Sequence, residues 1–225
     1  LFHTVHTGDF NSTERVRIDS SGRILQGSST GRTTALMAAQ TQNQLEGIGS
    51  NASSFSIFCN STGSAAGAII FAKSKGNSLG STTAVQNNDS LGHIAFEGLD
   101  GTQNRVGARI SAAVDGAVSG GGAADMPGRL MFFTTGDGSA SETERFRITG
   151  DGHVLPGANN TYDIGSTSLR WRNIYTTDLQ LSNEGKTNDV DETWGDYTIQ
   201  EGESDLFLIN NRSGKKYRFM LQEVS

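Results

Sequence analysis

The sequence predicts a mainly β fold assembled from repeated strand-hairpin units. Three observations lead there. A sixteen-residue segment occurs twice: residues 12–27 (STERVRIDSSGRILQG) return as residues 142–157 (ETERFRITGDGHVLPG), with eight identical positions at an offset of 130. Self-similarity at a fixed spacing marks a modular architecture. Apolar and polar residues alternate with period two through most of the chain, which is the pattern of half-buried strands. The apolar supply is thin, with Leu, Ile, Val and Phe making 48 of 225 residues while Gly makes 29. A chain with so shallow a core gains by burying its strands against copies of itself. Burial at about 25 cal/mol per Å² has to outweigh the entropy of ordering the backbone.

The elements follow in order. In the first copy Glu14, Val16 and Ile18 fall on one strand face and Arg15 and Arg17 on the other; Glu144, Phe146, Ile148, Arg145 and Arg147 repeat this. SSG or GDG then turns the chain, the Gly supplying a positive φ, and a short return strand follows. Between the copies, Gly67 to Gly76, Gly92 to Gly101, Gly107 to Gly116 and Gly128 to Gly138 bracket strands at steps of nine or ten. Those strands are Ile69–Phe71, Ile94–Phe96, Ala108–Ser111 and Leu130–Phe133. Asp-Gly pairs at 100–101, 115–116 and 137–138 are hairpin-turn signals, and this turn spacing suggests a sandwich, barrel or prism. Residues 35–46 fit either a helix or a strand, with the β-rich surroundings favouring strand. Residues 73–89 and 119–125 read as loops. Beyond Gly157 the texture becomes aromatic, then polar and acidic, and ends in three strands at 197–199, 206–209 and 216–221. The domain reading is 1–157 for the repeated-hairpin domain, 158–183 for a stalk-like β segment, 184–196 for a linker and 197–225 for a small hairpin unit.

Composition excludes several functions. A net charge of −6 argues against nucleic acid, whose binding rests on cationic contacts to phosphate. No apolar run nears the ~18 residues of a membrane span, so no membrane insertion is expected. Cys59 is the lone cysteine and reads as a small core residue. The chain opens at Leu1 without a basic leader, which suggests part of something longer. GNSLG at 76–80 fits the nucleophile-elbow pattern, yet lies in a polar loop rather than between a strand and a helix. Glu97, Asp100, Asp137, Glu142, Glu144 and Asp151 could supply a glycosidase pair, but mostly sit at turns. His3, His6, His93 and His153 lack metal-ligand spacing, and the acidic group Asp189, Asp191 and Glu192 lacks that of a calcium loop. No catalytic, metal or cofactor site is therefore expected, and the chain reads as a non-enzyme. The Arg15/Arg17 and Arg145/Arg147 pairs read as a solvated face or as interchain ion pairs with Glu14 and Glu144.

Several stretches resemble the tail-fibre and related virion proteins of tailed bacteriophages, particularly those of marine cyanobacterial phages. They are AKSKG at 72–76, VQNNDSLGHIAFEGLDG at 85–101, DMPGRLMFFTT at 125–135, TERFRI at 143–148 and DIGSTSLRWRNIY at 163–175. The last is similar to a stalk segment near the end of such fibres, and the resemblance as a whole extends over roughly residues 12–182. The resemblance implies an elongated, intertwined homotrimer on the virion, in contact with other virion proteins and with a host-surface glycan or protein. In such a trimer the expected interface residues are Ile18, Ile148, Leu169, Trp171 and Ile174, with the 73–89 and 119–125 loops as contact regions. Trp171 and Tyr175 could also stack on sugars, but burial at the trimer axis is preferred. Many relatives continue into a self-cleaving intramolecular chaperone. Here only a short β-unit follows, so the expectation is a removed chaperone or a trimer formed without one. Two rival functions are a tailspike polysaccharide depolymerase and a capsid decoration or scaffold protein with no host contact.

Overall fold

The computed structural model describes residues 1–4, 13–48, 53–119 and 125–224. Among them there is no helix. The chain divides into two compact units, Leu1–Tyr162 and Asp163–Ser225.

The first unit opens with the first hairpin copy. Strand β1 (Phe2–Thr4) pairs antiparallel with β2 (Thr13–Ile18), which turns into β3 (Ile24–Gln26). A two-stranded ribbon follows, β4 (Thr33–Thr34) and β5 (Ala39–Gln40), and β6 (Asn43–Leu45) then runs parallel beside β3. The ambiguous stretch 35–46 is thus a turn and two short strands. Residues 54–72 form no ladder, so the strand expected at Ile69–Phe71 is absent: these three side chains are exposed and have no sheet to pair with. Cys59, expected in a core, is exposed for the same reason.

A five-stranded antiparallel sheet dominates the unit. It comprises β7 (Ser90–Leu99), β8 (Asn104–Val114), β9 (Gly128–Thr135), β10 (Glu142–Ile148) and β11 (Val154–Pro156), in the spatial order β11-β10-β9-β8-β7. The β7–β8 turn shows why Asp-Gly is used. Asp100 accepts the N–H groups of Thr102 and Gln103 at 2.8 and 2.9 Å, and Gly101 takes φ 96°. Asp115-Gly116 behaves differently. Strands β8 and β9 are joined by residues 115–127, and the Asp115 carboxylate accepts the Gly150 N–H at 2.8 Å and pairs with Arg129 at 2.9 Å. It ties the sheet to the second hairpin copy instead of closing a two-residue turn.

The two copies fold alike. Gly22 and Gly152 both donate to the carbonyl three residues back at 3.0 Å, with φ 76° and 85°. Glu14 grips Arg17, and Glu144 grips Arg147, each through two charge-assisted bonds of 2.5–2.8 Å. Strict alternation would put each Glu and its Arg on opposite faces. A register shift at Arg15 in β2, and at Arg145 in β10, inserts one extra residue and brings them together, as a β-bulge does. The copies differ in their neighbours: β3 is flanked by β6 and its Leu25 is 1% exposed, whereas the counterpart Leu155 lies on the outermost strand and is open.

The second unit is an antiparallel meander, β12 (Leu179–Ser182), β13 (Asp196–Glu201), β14 (Leu206–Asn210) and β15 (Lys216–Arg218). The NNRSG turn closes β14 onto β15, with Gly214 at φ 70° donating to the Asn210 carbonyl. Before β12, Ser166 organises a tight turn: its N–H donates to the Leu169 carbonyl at 2.7 Å and its Oγ accepts the Leu169 N–H at 3.0 Å. Asn188 holds a second turn by accepting the N–H groups of Val190 and Asp191.

Candidate functional site

The five-stranded sheet places its side chains the opposite way round from an ordinary soluble sheet. Register fixes which residues share a face. Ile94, Ile110, Phe132 and Phe146 lie in one row across four strands, and Ala112, Leu130, Ile148 and Val154 lie in the next. Phe96 extends the same face, and Phe132 stacks on Phe146 with ring centroids 4.4 Å apart. This apolar face is the outward one: Ile94, Phe96, Leu130, Phe146, Ile148 and Val154 are all exposed. The opposite face holds Ser111, Ala113 and Met131, which are buried, together with His93, Arg109, Glu142 and Arg147, which are partly covered. The described residues bury only five hydrophobic side chains: Leu25, Val85, Ala113, Val114 and Met131. Exposed contiguous apolar surface on this scale marks an interaction site.

The covered face is held by charge and hydrogen bonds. Arg109 lies over the Phe133 ring at 3.9 Å and pairs with Glu142 at 3.1 Å. His93 bridges Ser111 through Nδ1 at 2.9 Å and Ser90 through Nε2 at 3.0 Å. Burial, and next the Arg109 cation, push the imidazole below its usual range. Glu97 accepts the N–H groups of Ala35 and Leu36, both at 2.8 Å, and so clamps the β4–β5 turn to β7. Arg105, with the two turn N–H groups, lowers the Asp100 carboxyl to about 2. These networks leave no buried side-chain polar atom without a partner among the described residues; the outer face is where burial of apolar surface remains to be gained.

The residues expected at an interface lie in three places. Ile18 stands opposite Ile24 in the first hairpin, Ile148 opposite Leu130 and Val154 in the second, and Leu169, Trp171 and Ile174 lie in the second unit around the Ser166 turn and before β12. All five are between 37 and 77% exposed. Ile18 and Ile148 are equivalent positions of the duplicated segment and both point away from the Glu–Arg pair. The structure adds Ile94, Phe96, Ile110, Leu130, Phe132 and Phe146, which sequence reading identified as strand residues but not as one face. The period-two pattern of residues 92–97 held that signal; only cross-strand register aligns it with the neighbours.

Four of the six carboxylates weighed for chemistry are engaged otherwise, and the serine of the GNSLG pattern lacks the setting it needs. Ser78 lies in a turn with neither a strand before it nor a helix after it. Glu97, Asp100, Glu142 and Glu144 are each taken up by backbone N–H groups or a guanidinium. Among the described residues no three His, Cys, Asp or Glu side chains gather as a metal site. Arg17 and Arg147, read as part of a solvated face or of interchain pairs, instead bind Glu14 and Glu144 of their own chain. The 73–89 loop is drawn closed by Lys73 and Lys75 on Asp89, at 3.8 and 3.2 Å. Most of the 119–125 loop, together with His6 and Ser12, lies outside the described residues.

No protein-family model and no curated protein matches the sequence. Solved structures do match the fold. The carboxy-terminal domain of the bacteriophage T5 L-shaped tail fibre superposes with a TM-score of 0.60 at 18% identity, covering 77% of this chain and 71% of that one. The same domain with its intramolecular chaperone domain superposes with a TM-score of 0.64 at 17% identity, covering 85% of this chain. The chain spans 53% of that longer form. The all-β fold is thus that of a phage tail-fibre domain.

Proposed function

We propose that this chain is a structural component of a phage tail fibre, located on the virion, that assembles as a homotrimer and presents exposed loops to the host surface. One observation carries the reading: the dominant sheet turns an apolar face outward across four strands while charged side chains occupy its covered face. In a solitary molecule that face costs hydration free energy at about 25 cal/mol per Å². Three copies arranged about an axis remove it from water. The fold's likeness to tail-fibre domains supports a place on the particle. Repetition of a weak contact on identical chains then gives adhesion through avidity. The 73–89 loop, closed by its Lys–Asp89 pairs, is the proposed contact region. Light scattering tests the assembly: three times 23.9 kDa is expected, and a mass of one chain at every concentration refutes it. Binding of the labelled protein to whole bacterial cells tests the attachment role.

A further inference from the structure

Residues 53–72, between β6 and β7, contain no charged residue and no proline (SSFSIFCNSTGSAAGAIIFA). Every one of them is exposed, including Phe55, Ile57, Phe58, Ile69, Ile70 and Phe71. The segment is doubled back on itself. Ile57 Cγ2 lies 2.6 Å from where a Cβ on Gly67 would sit, and the Cys59 thiol faces the Ala65 carbonyl at 3.8 Å. Positions 57 and 67, and 59 and 65, therefore face each other about a bend at Ser61–Gly63, where the Gly63 N–H donates to Ser61 Oγ at 3.1 Å. This is the outline of a hairpin, yet among the described residues its backbone makes no hydrogen bond to other backbone. Aromatic and β-branched residues without charge or proline are strand formers. Left unpaired in water, such a segment is an aggregation site.

The same unit carries a matching vacancy. Strand β7 ends the order of the five-stranded sheet, so among the described residues no strand pairs with its outer edge. At ten residues it is far longer than the other outermost strands, β1, β6, β11, β12 and β15, which have three or four. The edge lacks the lysines and prolines that commonly protect edges; its sequence is SLGHIAFEGL. Each limb of the arm, seven residues at about 3.3 Å per residue, would lie along most of such a strand. The arm does not do so within its own chain. Its base is fixed at the beginning of β7, with Phe71 against Gly92 and Lys73 near Asp89, and among the described residues β7 has no ladder partner but β8.

We infer that residues 53–72 are a strand-donating arm, and that their receptor is the open β7 edge of a second copy of this chain. Backbone hydrogen bonds of the added strand supply affinity, and its alternate apolar side chains extend the outward face onto the neighbour, as in β-augmentation. The inference rests on the proposed self-assembly and specifies which elements interlock.

The test is hydrogen–deuterium exchange on the full chain at a concentration where light scattering shows assembly. Amides of residues 54–60 and 65–71, and those of 94–99 that face away from β8, are expected to exchange at least tenfold more slowly than in unstructured peptides of those sequences, since exchange reports backbone pairing. A second arm uses Ser56→Pro with Ala68→Pro, which removes one donor N–H from each limb. That variant is expected to keep slow amides in β8 and β9 but to scatter as a single copy. An assembled wild type with unprotected arm amides overturns the arm while leaving self-assembly standing, as does a proline variant that still assembles. Protection of the arm without protection of those 94–99 amides overturns β7 as receptor. A single-copy wild type at every concentration sinks both readings together. Should the proline variant fail to fold, exchange in the wild type decides.

Discussion

Phe96→Ser separates assembly from folding. Phe96 is 56% exposed in the single chain, so about half of its surface is available for burial only between copies. For an aromatic side chain of roughly 200 Å² that is about 110 Å², worth about 2.8 kcal/mol at 25 cal/mol per Å². Three equivalent positions sum to about 8 kcal/mol per trimer, an upper value because it takes burial as complete. At 1.4 kcal/mol per tenfold that is between five and six powers of ten in the trimer association constant. Because that constant scales with the square of concentration, the midpoint of dissociation should rise several-hundred-fold. Sedimentation or light scattering over a dilution series measures it. Urea unfolding of the dilute, single-copy protein should change far less, since the ring is already half in water. An unmoved assembly midpoint would show that the outward face stays solvated and would remove the physical ground for association.

Acid should destabilise the fold in two separate windows. The His93 imidazole, facing Ser90, Ser111, Arg109, Glu142 and Glu97, is depressed below 6.5. The unfolded chain therefore takes up the proton first, and stability falls as pH drops through 6.5 until the folded group titrates. Melting temperatures from pH 7.5 to 5 should show this slope, and His93→Gln should flatten it. Asp100, held at about 2 against 3.8, stabilises above 3.8 and loses that contribution as pH falls toward 2; Asp100→Asn should remove this limb from an acid titration followed by circular dichroism. Gly27→Ala should cost more than Gly22→Ala. Both glycines have positive φ, which costs an L-residue about 1–2 kcal/mol, but a Cβ at Gly27 would stand 1.9 Å from the Glu46 carbonyl oxygen whereas Gly22 faces open space. Equal midpoints in urea for the two variants would contradict this close approach of β6.

How far the sequence could be read depends on the range over which each feature is decided. The duplicated hairpins were legible because a Gly with positive φ and a short strand on either side are local: Gly22 and Gly152 do what SSG and GDG imply. The bulges at Arg15 and Arg145 were not, since one inserted residue is visible only against a partner strand. They turn a presumed arginine face into two intrachain Glu–Arg clamps. Ile69–Phe71 has the composition of a strand, but composition cannot supply the neighbour a strand needs, and among the described residues none pairs with it. Asp115 has the composition of a turn, and its carboxylate is claimed by Gly150 from 35 residues away. The candidate face shows the same division. Alternation in β7 states that Ile94 and Phe96 share a side; that this side is the wet one follows from where His93 and Arg109 find Ser111, Glu142 and Phe133, all on other strands or earlier in the register. Once those polar groups are satisfied against one another, turning the sheet over would expose a closed network and bury Ile94 and Phe96 with too little cover. The apolar face therefore points outward because the polar face has already closed inward.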